Sequence, residues 1–313
     1  MGLELKTYQK YTSWKAFQPY FPEEWRLNED NLPNEYYWKW KDFEVHIDHY
    51  FPANAKKNKK LILLHGGGGN GRLMSPVAVC FRNLGYECIA PDLPGFGLTK
   101  INSANSYYTW IRLVNDLVRE ELEKDDKSIV LCGVSLGGML AYQVACLNSR
   151  IAGLIVTSLA DTRKKTVQLG LAKNKAFGTV SPILLNSLSV LTDDIKIPIK
   201  WTTKMWAMAN DPSFVRELKR DRVGSGSSVY LKFLRTLFEA KPSIEPSEFE
   251  NCPLLFLQPE KDNIIPWTMS MPFYEKLKCK KEVCFLSNCG HIPLEEPGTE
   301  EMKYKAEEFL EGL

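Results

Sequence analysis

Ser128-Ile129-Val130-Leu131-Cys132-Gly133-Val134-Ser135-Leu136-Gly137-Gly138-Met139-Leu140-Ala141-Tyr142-Gln143-Val144-Ala145 is the stretch that decides the fold of this chain. Its first five residues are short, apolar and β-branched enough for a buried strand. From Met139 to Ala145, small and apolar residues predict a helix. Between the two, Gly133-Val134-Ser135-Leu136-Gly137 predicts a sharp strand-to-helix turn with a serine at its apex. Such a turn needs small neighbours, because its backbone is strained and other chain approaches closely. It exposes the hydroxyl and aims the first helical amides at whatever that hydroxyl attacks. The alternative is a glycine-rich turn with an incidental serine. The strand before and the helix after favour the nucleophile.

Working outward, the apolar run 61–64 ends in His65-Gly66-Gly67-Gly68-Gly69-Asn70-Gly71, a second buried strand followed by a loop. Consecutive glycines leave backbone N–H groups unobstructed, which suits an oxyanion hole. Downstream, Cys252-Pro253-Leu254-Leu255-Phe256-Leu257 predicts another strand, with Gln258-Pro259-Glu260-Lys261-Asp262-Asn263 at its end. Val283-Cys284-Phe285-Leu286 then runs into Ser287-Asn288-Cys289-Gly290-His291-Ile292-Pro293. The chain order is therefore Ser135, Asp262, His291. Serine, acid, histidine is the order of one hydrolase architecture among three unrelated ones.

With these motifs the sequence resembles the alpha/beta-hydrolase superfamily from about Asp42 to the C-terminus, with Pro91-Asp92-Leu93-Pro94-Gly95-Phe96-Gly97 matching the loop after that family's fourth strand. The resemblance implies an α/β fold: a mostly parallel eight-stranded sheet, helices on both faces and an inserted helical cap. It places the catalytic groups at Ser135, Asp262 and His291. It places the oxyanion hole at the amides of Gly67 and Leu136, with Gly68 beside them against the substrate. His65 corresponds to a histidine that braces the glycine loop. The run from His291 to Glu296-Pro297 is about one residue shorter than the family's, which touches the start of the following helix more than the histidine. A serine at the elbow also argues against the dehalogenase and epoxide-hydrolase chemistries, which the resemblance ties to an aspartate there. For the acid, Asp262 is favoured over Glu260 and over Asp161, a position some relatives use, because it must reach a histidine on the adjacent loop.

Composition agrees with one large α/β domain carrying an insertion: 313 residues, 44% hydrophobic, 25% charged and a net charge of +2. Strands are expected at 44–49, 61–64, 87–90, 129–132 and 154–157, with an amphipathic helix around Trp110, Ile111, Val114, Leu117 and Val118. Residues 1–41 form an aromatic-rich extension in which Tyr8, Tyr11, Trp14, Phe17 and Phe21 recur at helical spacing. Packing on the domain's own surface is preferred for it over a dimerisation arm or an active-site cover. The core is expected at 42–161 and 246–313, with a helical cap at 162–245 whose helices lie near 183–191, 201–208, 214–218 and 229–238. That cap holds fifteen Lys and Arg against seven Asp and Glu. It reads equally as a solvated face or as a surface for anionic substrates or lipid, and the charge pattern argues against nucleic acid.

No run is long enough for a membrane span, and the first residues lack a signal-peptide core and the myristoylation pattern. The eight cysteines sit in predicted strands and helices without metal-ligand spacing, so free thiols, no zinc, no cofactor and a cytoplasmic setting are expected. His46 and His49 on the first expected strand read as structural. The reaction that follows is acyl transfer to water through an acyl-serine. Ile197-Pro198-Ile199-Lys200-Trp201 and Asn210-Asp211-Pro212 look most like the lysophospholipase and monoacylglycerol-lipase branch. Met205 and Trp206, with Met208, are expected to wall the acyl chain. Carboxylesters, lysolipids, acylated lactones and amides remain open as substrates, and a non-catalytic binding protein is the opposing class.

Overall fold

Central strands form where apolar residues are continuous, because a parallel strand covered on both faces has no solvent side. The computed structural model describes residues 6–52, 57–101, 103–172 and 189–313. In chain order the strands are β1 (Asn34–Trp40), β2 (Phe43–Tyr50), β3 (Lys59–Leu64), β4 (Glu87–Pro91), β5 (Ser128–Gly133), β6 (Ile151–Val156), β7 (Lys196–Pro198), β8 (Ser228–Tyr230), β9 (Leu254–Pro259) and β10 (Lys281–Leu286). Eight of them make one sheet in the order β1-β2-β4-β3-β5-β6-β9-β10. β2 pairs antiparallel with β1 and β4, and every other pairing is parallel. This is the expected mostly parallel eight-stranded sheet.

Alternation along each strand divides the core into two layers. Ile62, Leu64, Ile129, Leu131, Leu254 and Phe256 face one side, and Leu61, Leu63, Val130, Leu255 and Leu257 face the other. Helices cover both sides: α1 (Ser75–Asn83) contributes Ala78, Val79 and Phe81 to one layer, and α2 (Tyr107–Lys124) and α3 (Leu136–Ala145) fill the other. At the start of α2, the Ser106 side chain accepts from the Thr109 amide and the Thr109 side chain from the Ser106 amide, a reciprocal cap.

The structure corrects three expectations. The segment 34–40, assigned to the extension, is instead β1 of the sheet, registered with β2 through Tyr36↔Ile47 and Trp38↔Val45. Its tryptophans hold it there, since Trp38 Nε1 donates to Glu120 at 2.7 Å and Trp40 Nε1 to Asp116 at 2.8 Å, both on α2. The insertion between β6 and β9 is not purely helical: β7 and β8 pair antiparallel within it. The pattern at 201–208 is a short helix (Ile199–Thr202) and a separate 3-10 turn (Met205–Ala207), because Thr203 is extended between them. Helices Pro212–Arg220 and Leu231–Glu239 do form, while most of the pattern at 183–191 lies outside the described residues.

The aromatic stripe of the extension is packed into this chain's own core. Tyr8, Trp14, Phe17, Phe21 and Trp25 are buried. Phe17, Tyr20 and Phe21 surround Phe214 of the cap at ring separations of 5.7, 5.0 and 6.0 Å. All eight cysteines are free and seven are buried. Among the described residues no helix is long and apolar enough to cross a membrane.

Candidate active site

β5 ends at Gly133 and α3 begins at Leu136, which leaves Ser135 at the apex of the turn with φ 56° and ψ −125°. A non-glycine residue rarely adopts that backbone, which costs of the order of 1–3 kcal/mol unless its surroundings fix it. Here they do. The Ser135 amide donates to Thr157 Oγ1 at 2.9 Å, and Ser158 Oγ donates to the Ser135 carbonyl at 2.7 Å. The turn also demands close backbone approach: a Cβ on Gly137 would lie 2.1 Å from the Leu64 carbonyl oxygen. The sequence motifs do not mark Thr157 and Ser158 as supports of the turn. The available signal was a pair of hydroxyl residues directly after the apolar end of a buried strand.

Three loops at the carboxyl ends of β5, β9 and β10 bring Ser135, Asp262 and His291 together. Ser135 Oγ is 2.8 Å from His291 Nε2, and His291 Nδ1 is 2.8 Å from Asp262 Oδ2. Both His291 and Asp262 are buried. The other Asp262 oxygen accepts the amides of Ile264 and Ile265, each at 2.8 Å. Burial pushes the Asp262 carboxyl up, but His291 and those two amides outweigh it and hold the pKa below its ordinary value. Neither alternative acid faces His291. Glu260 accepts the Asn288 amide at 3.0 Å, and Asp161 is gripped by Arg163 at 2.8 and 2.9 Å.

The glycine loop after β3 abuts the serine: a Cβ on Gly66 would lie 2.8 Å from Ser135 Cβ. Gly67, Gly68 and Leu136 line the same cavity as Ser135. Leu136 opens α3, so its amide is one of the donors that a helix start leaves without an intrahelical acceptor. His65 braces the loop from beneath. Its Nδ1 meets the Gly66 carbonyl at 2.8 Å and its Nε2 accepts the Leu93 amide at 3.0 Å, which assigns the tautomer. Burial also pushes its pKa down. The cap holds the loop from above: Ser225 Oγ donates to the Gly68 carbonyl at 2.9 Å, and Asn70 Nδ2 to Asp221 at 3.4 Å.

A cavity of about 240 Å³ opens from Ser135 under the cap. Its walls include Phe96, Met139, Ile199, Phe233, Leu237 and Ile265, and no Lys, Arg, Asp or Glu is among the described residues that line it. Met205 and Trp206 are corrected here. Met205 is buried in the packing of the cap and Trp206 is 65% exposed, and neither lines the cavity. The sequence pattern predicts one helix through them, but the extended Thr203 breaks it into a short helix and a 3-10 turn. Met208 does line it, and the helix Leu231–Glu239 adds Leu231, Phe233, Leu234, Leu237 and Phe238.

His46 belongs to a buried polar cluster below the site. Arg72 pairs with Asp48 at 2.6 Å and with Glu35 at 3.2 Å. His46 Nε2 is 3.0 Å from Glu35, and Asp92 Oδ2 is 3.1 Å from its Nδ1, off the line of a hydrogen bond. Burial opposes a charge on His46, but Asp92 and Glu35 outweigh it and raise its pKa to about 10. Glu35, His46 and Asp48 are close enough to ligate an ion, yet both carboxylates are already paired with Arg72. His49 pairs with Glu87 at 2.7 Å, away from the serine.

Comparison with known proteins places this architecture. The alpha/beta hydrolase family matches residues 61–301, and the chain belongs to that family. Phospholipase YtpA of Bacillus subtilis is 25% identical over 222 residues, 68% of this chain and 80% of that protein. A haloalkane dehalogenase of Psychrobacter cryohalolentis is 28% identical over 108 residues, which spans 34% of this chain and only 35% of the dehalogenase. Among solved structures, the monoacylglycerol lipase of Paleococcus ferrophilus superposes with a TM-score of 0.70 at 21% identity, covering 85% of this chain and 98% of its own. A soluble variant of the Saccharomyces cerevisiae monoglyceride lipase gives 0.75 at 14% identity, covering 93% and 97%. At these identities the structural likeness shows the fold.

Proposed function

We propose that the protein is a serine hydrolase that cleaves a neutral carboxylic ester with a long apolar acyl group, through an acyl intermediate on Ser135. The observation that carries this reading is the Ser135–His291–Asp262 hydrogen-bonded chain, with two contacts of 2.8 Å, at the mouth of an apolar cavity. His291 Nε2 takes the hydroxyl proton as Ser135 Oγ attacks the carbonyl carbon. Asp262 keeps the other proton on Nδ1 and balances the imidazolium that forms. The amides of Gly67 and Leu136 receive the oxyanion. As the intermediate collapses, His291 returns the proton to the leaving alkoxide. Water then repeats the sequence on the acyl-serine and releases the acid.

Three observations support the substrate class. The described walls of the large cavity are mostly aliphatic and aromatic, with Ser158, Thr162, Thr202 and Thr203 as uncharged hydroxyl residues among them, which fits a hydrocarbon chain. No basic side chain is among its described lining residues, so a neutral ester fits better than an anionic one. The relatives include proteins named as lipases and a phospholipase. The test is labelling with a fluorophosphonate followed by peptide mapping, then turnover of esters of increasing acyl length beside an amide and a lactone of the same acyl group. Label on Ser135 and faster turnover of long esters are expected; label on another serine overturns the reading.

A further inference from the structure

An ester carbonyl carries two substituents, and a second cavity leaves Ser135 in addition to the large one. It has a volume of about 50 Å³ and shares Gly67, Ser135, Met208 and His291 with its larger neighbour. Its other walls come from the glycine loop (His65, Gly66 and Gly69), from Val134 before the serine, from Leu73, Met74, Pro76 and Val77 at the start of α1, from Ile292 to Leu294 after the histidine, and from Trp25 of the N-terminal segment. Trp25 is 1% exposed and packs in one cluster with Met74 and Ala78. Its indole N–H donates to Glu24 at 2.9 Å, so carbon is what it offers the cavity.

Two features decide what fits. The first is side. His291 Nε2 has to protonate the leaving oxygen, so the leaving group sits on the histidine side of the carbonyl. The residues that follow the histidine, Ile292, Pro293 and Leu294, line the small cavity and not the large one. The second is polarity. Apart from Ser135 and His291, the side-chain N–H and nitrogen acceptors in the walls are those of Trp25 and His65, and all are engaged by Glu24, Gly66 and Leu93. A hydroxyl or phosphate entering there would lose its water without gaining a free side-chain partner.

Resting on the ester-hydrolase reading above, we propose that this small arm receives the alcohol side of the ester, and that Trp25 of the N-terminal extension restricts it to a short, uncharged alkyl group. At roughly 10–15 Å³ for each water-sized group, the arm holds about four heavy atoms. The extension thereby contributes to specificity as well as to packing. Glyceryl and phosphoglyceryl esters, whose alcohol parts are polar, are excluded in favour of simple alkyl esters.

The experiment uses the full chain and two ester series, one varying the alkoxy group from methyl to hexyl on a fixed octanoyl group, the other varying the acyl group on a methyl ester. A glyceryl ester of the same acid joins the first series. On the alkoxy side, kcat/KM rises by roughly fourfold per methylene while the arm fills. It then falls by about tenfold once the group overfills it, at hexyl, and the glyceryl ester ranks below propyl. Trp25→Ala moves the fall beyond hexyl, while the acyl-length optimum stays where it was. Val77→Phe, on a half-buried helix position, moves the fall down to propyl, and it decides the matter if Trp25→Ala does not fold. A fall on the acyl side instead, a glyceryl ester that outranks butyl, or an alkoxy profile unmoved in the folded variants overturns the proposal. If the fluorophosphonate fails to label Ser135 and neither series turns over, the hydrolase reading itself has failed. Labelling of Ser135 without the alkoxy fall removes the arm alone.

Discussion

Asp262 stands 2.8 Å from His291 Nδ1 with one oxygen, while its other oxygen is anchored by two backbone amides of its own loop. The carboxylate is thus aimed at the imidazole by the backbone that carries it. Asp262→Asn keeps the shape but can hold the imidazole in the wrong tautomer, so kcat should fall by about 10⁴. Glu260→Gln, which faces Asn288, should stay within a few fold of wild type. Steady-state kinetics on one ester decide between them, and the reverse ranking would move the acid to Glu260.

Ser135 separates activity from stability. Ser135→Ala should reduce kcat by about 10⁶, as loss of a nucleophile does in a comparable triad. Ser135→Gly should be equally inactive yet more stable. The φ of 56° costs a side chain about 1–3 kcal/mol, and glycine gives back only about 0.5–1 kcal/mol in unfolded-state entropy. The expected gain is about 1 kcal/mol, read from denaturant midpoints. A less stable glycine variant would mean the turn stores no strain.

His46 makes the fold sensitive to alkali. Its folded pKa, raised to about 10, lies above the ordinary value of 6.5, so its contribution is complete below about pH 6.5 and is lost as pH rises through 10. The melting temperature should decline across that window. His46→Asn should melt lower at neutral pH, because Glu35 and Asp92 each lose one charged neighbour, and should show a shallower decline. Equal slopes in the two proteins would leave His46 out of the alkaline transition.

Cavity-lining and surface residues of the cap should behave differently. Leu234 lines the large cavity, so Leu234→Ala should flatten the dependence of kcat/KM on acyl length, each methylene being worth about 0.8 kcal/mol in an intact pocket. Trp206→Ala, at a position 65% exposed, should leave that dependence unchanged. The opposite pattern would put the acyl chain along the outside of the cap.

The basic residues of the cap give a salt test. Arg163 and Arg235 are paired with Asp161, Glu245 and Asp193, and none of the described lining residues of the large cavity is basic. Hydrolysis of a neutral ester should therefore be insensitive to added salt. A fall with salt confined to anionic lysolipids would restore the reading of the cap as a surface for anionic lipid.

What could be read from the sequence alone was what the chain settles locally. An apolar strand, a small-residue turn and an apolar helix within eighteen residues favour one arrangement for Ser135, and apolar runs likewise mark the strand ends near His65, Asp262 and His291. These signals survive because strand pairing and the helix start are satisfied by neighbouring backbone. Tertiary structure decided the rest. Tyr36-Tyr37-Trp38-Lys39-Trp40 read as part of an aromatic arm, and only pairing with β2 and the Glu120 and Asp116 acceptors make it a strand. Asp262, Glu260 and Asp161 all stand near strand ends, and which one reaches the imidazole depends on loops brought together across the sheet. Met205, Trp206 and Met208 are neighbours in sequence, yet of the three only Met208 lines the cavity, since Met205 is packed inside the cap and Trp206 faces outward from a 3-10 turn. Facing in the cap, and the reach of Trp25 to the serine's second cavity, are set by contacts between residues far apart in the chain. Local periodicity carries no record of those contacts.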